Sequence, residues 1–154
     1  MKHTIQKTFI HKKVLFFVWP SLVKAYEKIS GIPALKACTL FPGVIALKEE
    51  HYKDDQLVNH EKIHFRQLIE TAIIGYVLIY FVLEPIYYRV ILNYTSEQAY
   101  YLSCFEQECY RNQHRSEYLP YRVSFAWIKH IRRKHKKHIR HINGELHIDD
   151  ISSL

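Results

Sequence analysis

The chain has 154 residues, of which 48% are hydrophobic and 14% aromatic, with only four glycines and five prolines. It is too apolar for a disordered protein, too charged for a simple bundle of membrane helices and too poor in turn residues for a β-sandwich, which leaves one helix-rich domain. The net charge of +7 favours acidic partners. Three cysteines without C-x-x-C spacing, Cys38, Cys104 and Cys109, argue against a disulfide framework and read as reduced thiols of a cytoplasmic protein.

In chain order, four lysines precede a six-residue apolar run at 14–19. Pro20 ends that run with no small-residue cleavage site after it, so a cleaved signal peptide is not expected. Pro20 instead suits the first turn of a helix over 21–30, stopped by Gly31. Residues 34–40 fit either an extended or a helical piece. Pro42-Gly43 punctuates the chain, and the β-branched stretch 44–47 predicts a short strand.

Asp54 or Asp55 is placed to cap a helix that can run unbroken from Gln56 to about Leu83, with Pro85 predicting a break near Glu84 and a further helical piece over 86–93. The uncharged stretch 71–83 is shorter than the roughly twenty residues a spanning helix needs, and reads as a buried core helix in preference to a membrane contact. Thr95-Ser96-Glu97-Gln98 has the form of a capping box and opens a helix to about Glu117. A last helix is expected over 123–142, apolar and then basic, ended by Asn143-Gly144. The fold expected is mainly α, a small zincin-like helical core with one short strand or hairpin before the active-site helix. Residues 1–154 form a single domain with its core at about 14–128, followed by a basic helical extension over 129–154.

The stretch richest in chemistry is His60-Glu61-Lys62-Ile63-His64. On a helix His60 and His64 share a face and can offer both rings to one point, half of a tetrahedral zinc site, with Glu61 beside them as general base. With eleven His and eleven Glu in the chain, such a pattern arises by chance roughly once in twenty such sequences. A catalytic zinc ion needs a third protein ligand. Glu70, six residues beyond His64, is rotated away from the histidine face. The remaining candidates are Glu106 and Glu108 on the capped helix, which point nearly opposite ways, so only one of them can face the histidines. Tyr110 and His114, four and eight residues after Glu106, share its face and could orient a ligand or donate to an oxyanion.

A His-Glu-x-x-His helix followed, after an apolar stretch, by Phe105-Glu106 with a small residue at Cys109 resembles the gluzincin metallopeptidases, in particular minimal bacterial forms. The similarity covers about residues 40–118. It implies that Glu106 is the third ligand of a Zn2+ ion, with Glu108 the alternative. It also implies that Glu61 is the catalytic base, and that the segment 41–47 is an edge strand receiving the backbone of a peptide or protein substrate. Cys109 stands where the family usually has Ala, and Tyr110 where larger gluzincins have Asp, so their carboxylate partner for histidine is missing from this helix.

Residues 129–141 carry seven Lys or Arg interleaved with histidines. Such a run can track the phosphates of nucleic acid or of an anionic membrane, with Phe125 and Trp127 just upstream favouring a surface-docking role. Two further readings therefore stand beside the peptidase: a non-enzymatic basic module, and a degenerate zincin with structural zinc only.

Overall fold

The computed structural model describes residues 7–11, 14–32, 36–40, 44–48, 51, 53–131, 139–142 and 145–148. The chain is mainly helical, as expected, and the strand component is larger than a single strand or hairpin. Strands β1 (Lys7–His11), β2 (Val14–Val18), β3 (Ala37–Leu40) and β4 (Val44–Leu47) form one sheet in the order β1-β2-β4-β3. The apolar run after the N-terminal lysines is thus β2, antiparallel to β1 and parallel to β4. The connection between β2 and β4 contains α1 (Pro20–Ser30), which starts on Pro20 and ends on Gly31 at φ 68°, a left-handed conformation that glycine adopts without steric cost.

Side-chain alternation along β3 and β4 determines what covers each face of the sheet. Ala37 and Ile45 pack with Val58, Leu57 and Phe65 of the motif helix. Their neighbours Cys38 and Ala46 point the other way, against Val23 and Trp19, Leu22 and Tyr26 of the α1 side. One layer of helix therefore lies on each face.

The motif helix α2 (Asp55–Glu70) is capped by Asp54, whose carboxylate accepts from the backbone N–H groups of Gln56 and Leu57, both at 3.1 Å. It does not continue to Leu83. The chain turns at Ala72 and Ile73, which take φ of 51° and 63° without being glycine. A second helix then runs without interruption over Ile74–Ile91: an α-helical turn α3 (Ile74–Leu78), then π-helical segments Ile79–Leu83 and Ile86–Ile91. The break expected at Pro85 is absent. The hydrogen-bond ladder has already widened there, with Glu84 N–H bonding Ile79 O, so the donor that proline lacks falls in an i→i+5 stretch.

The wider turns also align side chains. In a pure α-helix each four-residue step drifts by about 40°, and the π segments offset that drift. Tyr76, Tyr80, Glu84 and Tyr88 consequently all face the body of the protein: Tyr76 packs on Phe105, Tyr80 reaches Glu106, Glu84 accepts from Cys104 N–H at 2.7 Å, and Tyr88 packs on Ala99 and Leu102.

The capping box forms as expected, Thr95 and Gln98 each bonding the other's backbone, and opens α4 (Ser96–Leu102). The helix expected to reach Glu117 breaks at Ser103, whose hydroxyl caps a separate helix α5 (Cys104–Asn112). A short helix α6 (Tyr118–Tyr121) and a 3-10 turn (Ala126–His130) follow. Among the described residues the single helix expected over 123–142 is not found, its two ends being a 3-10 turn and a strand. Residues 139–148 contribute strands β5 (Ile139–Ile142) and β6 (Glu145–Ile148), paired antiparallel. Residues 132–138 and Asn143-Gly144 lie outside the described residues.

Candidate metal centre

The centre forms where α2 meets α5. Residues 60–64 are all buried, as is α5 from Cys104 to Cys109, because the sheet covers one side of α2 and α5 with the 74–91 helix covers the other. His60 and His64 stack edge to face with ring centroids 4.8 Å apart, and their Nε2 atoms are 3.1 Å apart. The Glu106 carboxylate completes the triangle, with Oε2 3.2 Å from His60 Nε2 and Oε1 3.1 Å from His64 Nε2. Ligands about 2.0–2.1 Å from a tetrahedral ion lie about 3.3 Å from one another, so the three groups stand near the spacing an ion requires.

Each histidine is oriented from behind. His60 Nδ1 lies 2.9 Å from Gln113 Oε1, and His64 Nδ1 lies 2.8 Å from Gln67 Oε1. The Gln67 amide cannot be turned round without loss, because its Nε2 donates to Phe105 O at 3.1 Å and to Glu108 Oε2 at 3.0 Å. Carbonyl oxygens only accept, so neutral His64 carries its proton on Nδ1 and directs the Nε2 lone pair inward, and the Gln113 oxygen favours the same tautomer of His60. Tyr76 OH, 3.2 Å from His64 Nδ1, and Tyr80 OH, which donates to Glu106 Oε1 at 2.6 Å, reach the site from the 74–91 helix. Glu106 Oε2 is buried without a hydrogen-bond partner among the described residues.

Three inward acceptors at this spacing repel one another unless a positive charge lies between them. With protons alone to supply it, burial, which would lower the His64 pKa, is outweighed and the ring is held protonated well above its ordinary range, the ionised Glu106 carboxylate 3.1 Å away being the charge that faces it. Glu106 is held ionised well below the usual carboxylate range, because His64 and His60 outweigh the burial that would raise it.

A buried group of His60, His64 and Cys109 can bind a metal ion, their ligand atoms lying within 4.8 Å of one another. Cys109 Sγ, however, sits 3.5 Å from His64 Nδ1, on the side of the ring already used by Gln67, and burial pushes its thiol up to about 12. Glu106 approaches Nε2 of both rings more closely.

The other residues named from sequence divide cleanly. Glu61 is buried and lines both the small chamber at Glu106 and the neighbouring cleft of about 200 Å³. Tyr110 borders that cleft with its ring 4.8 Å from the His60 ring. His114 is not brought to the site: it is exposed and lines a separate depression with Asn59 and Lys62. Glu108 turns away as its spacing from Glu106 requires, and is bound by Arg122, Tyr118 and Gln67. Arg122 also holds Glu70, giving the carboxylate that lies off the histidine face a structural use. The strand beside the cleft is β3, through Ala37, and not β4, which lies between β2 and β3 with both edges paired. Phe41-Pro42-Gly43 falls outside the described residues.

Gln67, Gln113, Tyr76 and Tyr80 were not foreseen. Two had a local signal: Gln67 follows His64 by three and Gln113 follows Glu106 by seven, both spacings that share a helical face. No family model, no curated protein and no solved structure matches the chain.

Proposed function

We propose that the chain is a zinc-dependent peptide hydrolase with a minimal gluzincin-like centre, in which His60, His64 and Glu106 hold the ion. The observation that carries this reading is the convergence of two Nε2 atoms and one carboxylate at 3.1–3.2 Å, with both rings fixed through Nδ1. Glu106 is preferred to Cys109 on geometry, since one imidazole presents one nitrogen to an ion and the two Nε2 atoms already face Glu106. The donor set of two imidazoles and one carboxylate suits zinc and leaves a fourth position for chemistry.

When bound, zinc supplies Lewis acidity, polarising a carbonyl and making water a stronger acid. The chain's own groups do the rest. Glu61 takes the proton of the attacking water as its oxygen bonds to the peptide carbon, and returns it to the amine as the C–N bond breaks. Tyr110 borders the cleft where the carbonyl oxygen gains charge and is the nearest of the foreseen donors to it. The substrate backbone runs along β3, the outermost strand of the sheet on that side.

The experiment is peptide hydrolysis by the zinc-loaded parent and by Glu61→Gln. Turnover in the parent that falls at least a hundredfold in the variant, with zinc content unchanged, supports the reading. Zinc bound by both with no Glu61-dependent turnover of a diverse peptide mixture replaces it with a structural zinc site.

A further inference from the structure

The stretch 71–83 was expected to be core, and the 74–91 helix that holds most of it is not. Only 11% of that helix is buried, although it has a mean hydropathy of 1.4 and is long and apolar enough to cross a membrane. Ile74, Val90 and Ile91 are 80%, 75% and 66% exposed, and Val77, Leu78, Val82 and Ile86 are also exposed. Three polar side chains of the helix lie on its other side: the hydroxyls of Tyr76 and Tyr80 and the carboxylate of Glu84 bond His64, Glu106 and the Cys104 backbone, while Tyr87 is exposed. Arg89, the other charged residue of the helix, is exposed near its end and lines a cleft shared with Tyr26, Glu84 and Ser96. A continuous apolar surface this large on a water-facing helix marks a contact with lipid or protein.

We propose that this face docks the protein on an anionic lipid bilayer, with the helix lying along the surface and its outer side among the acyl chains. Two observations favour lipid over a second copy of the chain. First, Trp127 packs in one cluster with Tyr76, and with Ile73 and Ile79 at its margin, which sets the 3-10 turn beside the start of the helix. Phe125, Ile128, Lys129 and Ile131 of that turn are exposed, and in the sequence the basic run follows them directly. Second, that run carries seven Lys or Arg between 129 and 140 in a chain of net charge +7. A chain of this charge repels a second copy of itself, whereas acidic headgroups attract it.

The helix lies along the bilayer and does not cross it, because its inner stripe is held against α2, α4 and α5 from Tyr76 to Tyr88. A helix about 27 Å long could cross only by carrying those polar elements into hydrocarbon or by releasing Glu106 and His64. The docking surface and the candidate metal centre are thus two faces of one helix. The proposal does not depend on the hydrolase reading.

The test is flotation of the full chain with vesicles of phosphatidylcholine alone or with about one third phosphatidylserine, a readout that leaves aggregated protein at the bottom of the gradient. The parent is expected to float with the acidic vesicles, and Val82→Asp/Val90→Asp to lose at least tenfold in binding with an unchanged circular dichroism spectrum. Lys129→Gln/Arg132→Gln/Arg133→Gln, which leaves the apolar face intact, is expected to lose the preference for acidic lipid. A parent that stays at the bottom, or an aspartate variant that is folded and floats equally well, overturns the proposal. Equal flotation on neutral vesicles overturns the anionic-lipid assignment. A discrete dimer in vesicle-free buffer that the aspartates dissociate, without flotation of the parent, reassigns the face to a second copy. Tags at both termini should remain accessible to antibody outside intact vesicles, and shielding of one of them would show a crossing helix.

Discussion

Tyr80 donates a hydrogen bond to Glu106 across 2.6 Å, from a helix whose opposite side is exposed apolar surface. The bond fixes the carboxylate that would serve as third ligand, and links its orientation to whatever holds the 74–91 helix. Partners of metal ligands typically contribute tenfold to a hundredfold in affinity. Tyr80→Phe is accordingly expected to weaken zinc binding by that factor, with little change in fold, as read by competition with a chromophoric chelator. Unchanged affinity would show that Glu106 needs no help from this helix.

Arg122 is buried between Glu70 and Glu108, with Nη2 3.1 Å and 3.0 Å from their carboxylates. Removing a buried cation leaves two acids facing each other, a loss of roughly 3–5 kcal/mol. Arg122→Met should lower stability by about that amount in urea unfolding at neutral pH.

The same network sets a pH dependence. Hydrogen bonds from Arg122, Gln67 and Tyr118 outweigh burial and hold the Glu108 carboxyl below its ordinary range. A depressed folded-state pKa contributes stability that is complete above the unfolded value, about 4.3, and is lost as pH falls through the folded one. The stability gap between the parent and Arg122→Met should therefore narrow as pH falls below about 4, in urea midpoints measured from pH 7 to pH 3. A gap that stays constant over this range would show that Glu108 is not the charge Arg122 serves.

Ala72 sits at φ 51°, a conformation that costs an L-residue about 1–2 kcal/mol and glycine nothing sterically. Set against the larger chain entropy of glycine, Ala72→Gly should raise stability by up to about 1 kcal/mol in urea unfolding. A loss of stability would mean that the Ala72 side chain contributes packing that outweighs the strain.

What the sequence made legible was local. The i, i+4 pair His60 and His64, the Asp54 cap, the Thr95 capping box and the opposed directions of Glu106 and Glu108 all follow from helix periodicity, and each is found. Features that depend on distant partners were not legible. The turn at Ala72 and Ile73 has no glycine or proline to announce it, and Pro85 passes inside a helix that widens into π turns around it. The stretch 139–142 pairs with 145–148 as strands, although its basic composition continues a helical pattern. Which edge of the sheet faces the cleft depends on the order β1-β2-β4-β3, and strand order is not written in any one segment. The burial of the 71–83 stretch was misjudged because an uncharged run of that length reads the same whether protein or lipid covers it.

The central claim is that His60, His64 and Glu106 hold one metal ion. The most direct measurement is zinc per chain after loading and desalting, by mass spectrometry of the metal, for the full-length parent, His60→Ala/His64→Ala and Glu106→Gln. Histidines of the basic run are present in all three, so only the difference between them reports on the site. A parent that retains about one zinc more than either variant is the expected result. Equal zinc in the parent and the double histidine variant would contradict the account.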